Sequence, residues 1–239
     1  MGRRWDVILA NTDPLPEPDP CEAPLLTALD KIGLRAASWS WRDSTRDWSQ
    51  ARTVVLRATW DYPWHIDAFK GWLRDVSAQT VLLNPLRSLL WNLHKSYLCE
   101  LADKGIRTVP TLVIPRGTQR SMGGLVADCG WADVVIKPAE GAGSYETYVM
   151  KRGQYDEGRF AELVTQRDLL IQPFIPTLQE VPERALVFIG GRFSHAMHKE
   201  PRFAGHEERV TGPHLVSVAE LELARNALAA APEPTLYAR

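Results

Sequence analysis

The sequence predicts an α/β fold, and three observations support that class. Short apolar runs, which are typical of strands, alternate along the chain with segments whose apolar residues recur at helical spacing. The first of these runs end in loops rich in polar residues and proline, at 11–14 and 57–63. Further on, apolar runs at 185–189 and 193–199 flank a Gly-Gly dipeptide, which indicates a β-hairpin.

The N-terminal third predicts a mostly parallel sheet, because strands that alternate with helices are joined by right-handed crossovers. We expect Gly33 to end the first helix, since glycine readily adopts the left-handed conformation that follows many helices. The segment has neither a G-x-G-x-x-G sequence nor a P-loop motif, so it is Rossmann-like in layout only. The predicted strands are 6–10, 36–41, 53–56 and 81–83, and the predicted helices lie around 25–32 and 69–76.

The remaining two thirds predict a mixture of strands and helices. A helix is expected over 88–104, with Gly105 at its end, and a buried strand over 169–172 stops at Pro173. The other predicted elements are the hairpin, strands at 109–114, 134–137, 145–150 and 235–238, and helices at 122–129 and 218–230.

Composition and charge limit the classes of function. Lys and Arg total 28 against 29 Asp and Glu, so we expect no broad attraction to nucleic acid or to anionic membranes. No apolar run reaches the roughly 20 residues of a membrane span and no signal peptide is evident, so a cytoplasmic protein is expected. The three cysteines fit neither a disulfide framework nor a zinc site. His195 and His198 lie in a predicted strand, where they face opposite ways, so we expect no metal site there.

The most informative segment is 134–144, in which a buried strand delivers Lys137 to a glycine-rich turn. Gly141 and Gly143 allow backbone N–H groups to approach an anion closely, and Ser144 adds a hydroxyl. This combination favours a polyphosphate site, and hence a nucleotide. The alternative is a glycine-rich hairpin turn with a solvated lysine.

Three features in a fixed order resemble the ATP-grasp superfamily. They are Lys95 in a predicted helix before a G-x-x-x-V-P-T strand, Lys137 in V-I-K-P before the glycine turn, and Q-P-F at 172–174. Two further stretches are similar to the RimK-like and cycloserine-forming branch of that superfamily. These are R-x-x-W-D-Y at 57–62, and F-S-H-A at 193–196 leading to Lys199.

The resemblance implies an N-terminal Rossmann-like (pre-ATP-grasp) lobe followed by two α+β lobes that grip ATP, the last of them incomplete. The corresponding domains are 1–86 for the substrate lobe, 87–170 for the central lobe with the glycine loop, and 171–239 for the C-terminal lobe. Relatives bind Mg²⁺ through carboxylates on strands after the final helix, so its ligands are expected beyond Arg239. Three explanations could account for the missing metal-binding strands. A truncated chain is favoured, and the alternatives are a split protein completed by another chain and a degenerate nucleotide-binding relative.

The resemblance also implies the roles of individual residues in nucleotide binding. Lys95 and Lys137 are expected to contact phosphates, although Lys95 alone could be a solvated helix lysine. Residues 172–175 would bind adenine through main-chain groups. The Gln172 or Pro173 carbonyl would accept a hydrogen bond from the exocyclic amine, and the Phe174 N–H would donate one to a ring nitrogen. The ribose hydroxyls would be bound by a carboxylate, for which Glu183 is the first candidate and Glu180 the second. Either of these acids could instead be an exposed loop residue.

Catalytic and substrate contacts are expected from other segments. Lys199 and Arg209 follow the hairpin, and Arg209 would clamp the transferred phosphate. Arg57, Trp60 and Asp61 end a strand of the N-terminal lobe, where parallel sheets bind ligands, and are the expected substrate contacts. The alternative is a packed tryptophan with a helix-capping aspartate.

The implied activity is that of an ATP-dependent carboxylate–amine ligase that acts through an acylphosphate on an amino acid or a similar small substrate. A homodimer is possible. The alternative from another class is a catalytically inactive nucleotide-binding module, or a fragment completed by another chain. A sugar-binding or amino-acid-binding α/β protein that needs no metal is a third interpretation.

Overall fold

A computed structural model describes residues 3–179, 181–199 and 210–239. These residues form two compact units. The first contains the residues up to Leu90 together with Glu233–Thr235, and the second contains Trp91–Pro232 together with Leu236–Arg239.

The first unit has a four-stranded parallel sheet, as predicted. Its strands are β1 (Trp5–Asn11), β2 (Ala36–Ser40), β3 (Ala51–Leu56) and β4 (Val81–Leu83), in the order β2-β1-β3-β4. Helix α1 (Glu22–Lys31) connects β1 to β2, and helix α2 (Ile66–Gln79) connects β3 to β4. The ends of β1, β2 and β3 that bear loops rich in polar residues therefore lie at one edge of the sheet.

Aromatic packing fills the core of this unit. Helix α2 buries Phe69, Leu73 and Val76, which recur at helical spacing along one face. Trp41 packs edge-on against Phe69, with ring centroids 5.0 Å apart, and Trp48 packs edge-on against Trp72 at 5.1 Å. Most of the tryptophans of this unit are thus packing residues.

The second unit contains an antiparallel sheet that carries the glycine loop. Its strands are β5 (Leu112–Ile114), β6 (Val134–Pro138), β7 (Tyr148–Met150) and β8 (Leu169–Pro173), in the order β5-β8-β6-β7. Helices α5 (Met122–Asp128) and α6 (Glu157–Gln166) contribute buried side chains to the same core cluster as alternate residues of β6 and β8. Twelve buried residues form this cluster: Ile114, Met122, Leu125, Val126, Val134, Ile136, Met150, Phe160, Leu163, Val164, Leu169 and Ile171.

The predicted helix over 88–104 is wrong. Two helices occur instead, α3 (Leu86–Leu93) and α4 (Tyr97–Asp103), because residues 94–96 leave the helical path. His94 forms an isolated antiparallel bridge with Glu140, and the Lys95 N–H donates to the Ala139 carbonyl at 2.8 Å. This pairing with a distant segment overrides local helix propensity.

The second unit also contains a second antiparallel sheet. Its strands are β9 (Glu183–Ile189), β10 (Arg192–Lys199), β11 (Val210–Thr211) and β12 (Tyr237–Ala238), in the order β11-β10-β9-β12. The predicted hairpin is present, and Gly190 and Gly191 have positive φ angles of 57° and 73°, as a tight turn requires. Helix α7 (Val218–Ala229) starts with a capping box formed by Ser217 and Glu220.

The three-domain division stays a prediction. The two sheets of the second unit correspond in sequence to the two expected lobes, but the expected boundary between residues 170 and 171 falls inside β8. No helix among the described residues is long and apolar enough to span a membrane.

Candidate functional site

Lys137 lies on the face of the β5-β8-β6-β7 sheet that is opposite to the core cluster. Alternate residues of β6 point to opposite faces, and Val134 and Ile136 belong to the core cluster. Lys137 and Val135 are therefore on the other face. The β6–β8 register places Gln172 opposite Val135 and Leu170 opposite Lys137, so all four side chains share that face.

The break between α3 and α4 brings Lys95 to the glycine loop. Its backbone N–H is bonded to Ala139, which directly follows β6, and its ammonium group donates to the Gly141 carbonyl. The structure thus brings together Lys95, Lys137 and Gly141, which are far apart in sequence. The side chain of Lys95 enters this site from the turn between α3 and α4 and not from a helix.

The two lysines are half-buried, and the charge of Lys137 perturbs Lys95. The pKa of Lys95 is lowered to about 8, mainly because burial disfavours the charged amine and also because of the nearby positive charge of Lys137, while the charge of Glu140 acts in the opposite direction. Burial also lowers the pKa of Lys137. A half-buried ammonium loses hydration, and a second cation beside it adds repulsion, so both effects favour an anionic ligand.

The glycine loop, residues 139–147, contains several residues in the left-handed region. Gly143 has φ = 60°, Ser144 has φ = 60° and Glu146 has φ = 45°. Two turns shape the loop, since the Tyr145 N–H donates to the Ala142 carbonyl and the Thr147 N–H to the Ser144 carbonyl. Residues 142–144 at its tip are exposed, whereas Gly141 at its base is buried. Gly143 and Ser144 therefore lie where a solvent-borne anion has access to the backbone.

The end of β8 corrects one detail of the predicted adenine hinge. The Phe174 N–H donates to the Asp133 carbonyl at 2.8 Å, because it continues the β6–β8 ladder by one residue. Phe174 is therefore not a free donor. No described residue accepts a hydrogen bond from the Ile175 N–H, which makes Ile175 the first available donor after the strand. The buried Gln172 side chain donates to the Thr111 hydroxyl at 2.8 Å.

The second sheet carries Glu183 and Lys199 at facing positions. The two residues are directly opposite in the β9–β10 register, where opposite charges stabilise a strand pair. Glu183 is exposed, and Lys199 is half-buried. Arg209 and Glu180 lie outside the described residues, so their predicted roles stay predictions.

In the first unit, the expected substrate residues lie at the loop-bearing edge of the parallel sheet. Arg57 follows β3 and forms an ion pair with the buried carboxylate of Asp19 at 2.9 Å, and Trp60 is 37% exposed. Asp61 accepts hydrogen bonds from the Trp41 indole at 2.7 Å and from the Thr12 hydroxyl. Its side chain does not cap the following short helix. Asp61 thus joins the ends of β1, β2 and β3.

Within the described ranges, no group of three or more His, Cys, Asp or Glu side chains is arranged to hold a metal ion. A preformed site of that kind is therefore absent from the described part of the chain.

Comparisons with known proteins agree with this architecture. Residues 7–84 match the family model for the N-terminal domain of the D-cycloserine synthetase DcsG. The cycloserine biosynthesis protein DcsG of Streptomyces lavendulae is 30% identical over 182 residues, which cover 74% of this chain and 61% of that protein. The crystal structure of D-cycloserine synthetase DcsG superposes with a TM-score of 0.85 at 26% identity, over 97% of this chain and 84% of that one.

More distant structures share the fold. An ATP-grasp RimK domain protein from Sphaerobacter thermophilus has a TM-score of 0.65 at 16% identity, over 96% of this chain and 83% of that one. The chain has the ATP-grasp fold. The D-alanine–D-alanine ligase of Bacillus anthracis, solved with ATP, gives 0.65 at 13% identity, over 98% and 80% of the two chains. The predicted resemblance to the cycloserine-forming and RimK-like ATP-grasp branch is thereby confirmed, and the Bacillus anthracis protein is a ligase by name.

Sequence reasoning missed three residues that shape this part of the ATP-grasp fold. His94 forms the bridge that breaks the helix, and Arg167 and Asp168 contact the segments that carry the two lysines. Nothing in the local sequence marks them, because each acts through contacts with distant segments. Helix α6, which precedes Arg167, was missed too, although Asp156 caps it and Phe160, Leu163 and Val164 have helical spacing.

Asp61 provides a test of the first unit. Asp61→Ala leaves the Trp41 indole N–H without its acceptor, so we expect the free energy of unfolding to fall by about 1–3 kcal/mol. Asp61→Asn keeps one carbonyl oxygen as an acceptor, so its free energy of unfolding should fall by less than that of Asp61→Ala. Urea denaturation followed by tryptophan fluorescence measures both changes. Full stability of Asp61→Ala would show that the carboxylate has no structural role.

Proposed function

We propose that the protein is an ATP-dependent ligase that joins a small carboxylate, such as an amino acid, to a nitrogen nucleophile through an acylphosphate. Support comes from the ATP-grasp fold and from the similarity to D-cycloserine synthetase and D-alanine–D-alanine ligase. Because the curated relative is covered over only 61% of its length, the activity of the whole protein is part of this proposal.

The convergence of Lys95 and Lys137 at the glycine loop is the observation that carries the proposal. Among the described residues, none forms an ion pair or a hydrogen bond with the Lys137 ammonium, and the Lys95 ammonium donates only to the loop carbonyl of Gly141. A polyphosphate would neutralise both cations at once. Each lysine would then contribute roughly 1.5–3 kcal/mol as a charge-assisted hydrogen bond.

The same sheet face suggests how the nucleotide lies. Along the β6–β8 strand pair, Lys137 lies at the end that would bind the phosphates. Val135, Gln172 and the Ile175 N–H lie towards the opposite end. Val135 and Gln172 lie two residues along their strands from Lys137 and Leu170, a distance of about 7 Å, and Ile175 follows three residues after Gln172. We place the adenine at the Ile175 end, with the Gln172 or Pro173 carbonyl as acceptor. Glu183 stays the candidate for the ribose hydroxyls, and Gly143 and Ser144 contribute to phosphate binding.

The proposed reaction has two steps. A carboxylate oxygen of the substrate attacks the terminal phosphorus of ATP and ADP leaves, which forms an acylphosphate. A nitrogen nucleophile then adds to the acyl carbon, and inorganic phosphate leaves. Lys95 and Lys137 hold the charged phosphates, and Lys199 and Arg209 are the candidates for stabilising the transferred group. Arg57 and Trp60 are candidates for binding the substrate. Asp61 would fix the loop after β3, which carries both residues, through its hydrogen bonds to Thr12 and Trp41.

Hydroxylamine trapping tests this chemistry. With Mg²⁺ and ATP, we expect ADP release to require a carboxylate substrate from an amino-acid panel, and hydroxylamine to convert the acylphosphate to a hydroxamate. Lys137→Met should lose this activity, while Lys151→Met, at an exposed lysine just after β7, should retain it. ATP binding without ADP release across the whole panel would favour an inactive nucleotide-binding module instead.

The lowered pKa of Lys95 predicts a pH dependence. A bound phosphate favours the charged amine and raises its pKa above about 8, so ATP binding takes up protons. At pH 8 we expect Lys95 to take up about half a proton when ATP binds. The affinity for ATP should fall as the pH rises from 7 to 9. Calorimetry in buffers of different ionisation enthalpy measures the uptake. Lys95→Met should reduce it and Lys151→Met should not, whereas proton release by the wild-type protein would contradict this account.

A further inference from the structure

Arg167, between α6 and β8, contacts the far end of the glycine loop. One of its terminal nitrogens lies 2.7 Å from a carboxylate oxygen of Glu146 and donates to the Tyr145 hydroxyl at 3.3 Å. The guanidinium group also lies 5.7 Å from the centre of the Tyr145 ring, within the range of a cation–π contact. Arg167 therefore binds two consecutive loop residues by three kinds of contact.

The next residue, Asp168, anchors the near end of the loop. Its backbone carbonyl accepts a hydrogen bond from the Ala139 N–H at 2.9 Å, and its carboxylate lies 3.3 Å from the His94 imidazole. A second carboxylate oxygen accepts from the Arg116 N–H at 2.7 Å, which fixes the side chain. Since His94 precedes Lys95, Asp168 holds the start of the loop and the segment that carries Lys95.

The two contacts together bracket the part of the loop that would receive phosphates. Residues 140–144 lie between the Asp168 anchor at Ala139 and the Arg167 anchor at Tyr145 and Glu146. Ser144 and Glu146 have left-handed conformations, which non-glycine residues adopt reluctantly. A loop that must be ordered by its ligand loses conformational entropy on binding, which weakens affinity. A loop that is already held avoids this loss. The ion pair is only partly exposed, with 31% of the Arg167 side chain and 27% of the Glu146 side chain accessible.

We propose that Arg167 is a positioning residue of the nucleotide site, which holds residues 140–146 in the conformation that binds phosphates while Asp168 ties down the start of the loop. It acts through Glu146 and Tyr145 and does not itself touch the ligand. This inference rests on the proposed function, because it assigns the loop to phosphate binding.

The test compares two arginines with the same kinds of contact. Arg159 of α6 lies 2.7 Å from Glu162 and 5.5 Å from the centre of the Tyr148 ring, but among the described residues it forms no hydrogen bond, ion pair or cation–π contact with the loop. In calorimetry, Arg167→Gln should bind ATP about fivefold to 20-fold more weakly than wild type, and Arg159→Gln should bind it normally. Glu146→Gln should also weaken binding, and the double variant should be little worse than either single variant, because both remove one interaction.

Hydrogen exchange in the absence of nucleotide supplies a second readout. Amides of residues 141–147 should exchange faster in Arg167→Gln than in Arg159→Gln, while those of β6 and β8 stay unchanged. Unchanged loop exchange, or wild-type ATP affinity in Arg167→Gln, would overturn the inference. Faster exchange spread over β6 and β8 would also overturn it, since that would indicate a general structural role. If the wild-type protein binds no ATP, the proposed function fails, and loop exchange still decides whether Arg167 holds the loop.

Discussion

The hydrogen bond from the Lys95 N–H to the Ala139 carbonyl is the contact on which the candidate site depends. It occurs where a continuous helix would otherwise run, and it attaches the resulting break to the residue that follows β6. As a result, two ammonium groups are held half-buried near each other. Burial lowers the pKa of both, and the charge of Lys137 further lowers that of Lys95. An arrangement of this kind is unfavourable until an anion enters it.

The β5-β8-β6-β7 sheet supports both lysines, because Lys137 lies on β6 and Lys95 is bonded to Ala139, which follows β6. Strand β8 lies between β5 and β6, and its residues Leu169 to Gln172 are buried. Lys137, on β6, is therefore next to an interior strand of the sheet. The core cluster fills one face, and the half-buried Lys137 lies on the other. Loops that bind ligands need such a scaffold, since the loops themselves have few buried contacts. The glycine loop follows this pattern, because its base is buried and its tip is exposed.

Much of this could be predicted from the sequence. Alternating apolar runs gave the parallel sheet, the Gly-Gly turn gave the hairpin, and the order of Lys95, Lys137 and 172–174 pointed to the ATP-grasp fold. The helix break could not be predicted, because residues 88–104 have helical periodicity and the bond to Ala139 is tertiary. The choice of Phe174 as a hinge donor was wrong for a similar reason, since its pairing with Asp133 depends on the strand register. Local patterns specify elements, whereas long-range pairing decides which backbone groups remain available.

Calorimetric titration of ATP into lysine variants tests the central claim most directly. If Lys95 and Lys137 share one polyphosphate, Lys95→Met and Lys137→Met should each weaken binding by about tenfold to 150-fold, from roughly 1.5–3 kcal/mol per charged contact. Lys151→Met, which removes an exposed lysine near the same sheet, should bind ATP as the wild-type protein does. Unchanged ATP affinity in both Lys95→Met and Lys137→Met would contradict the account.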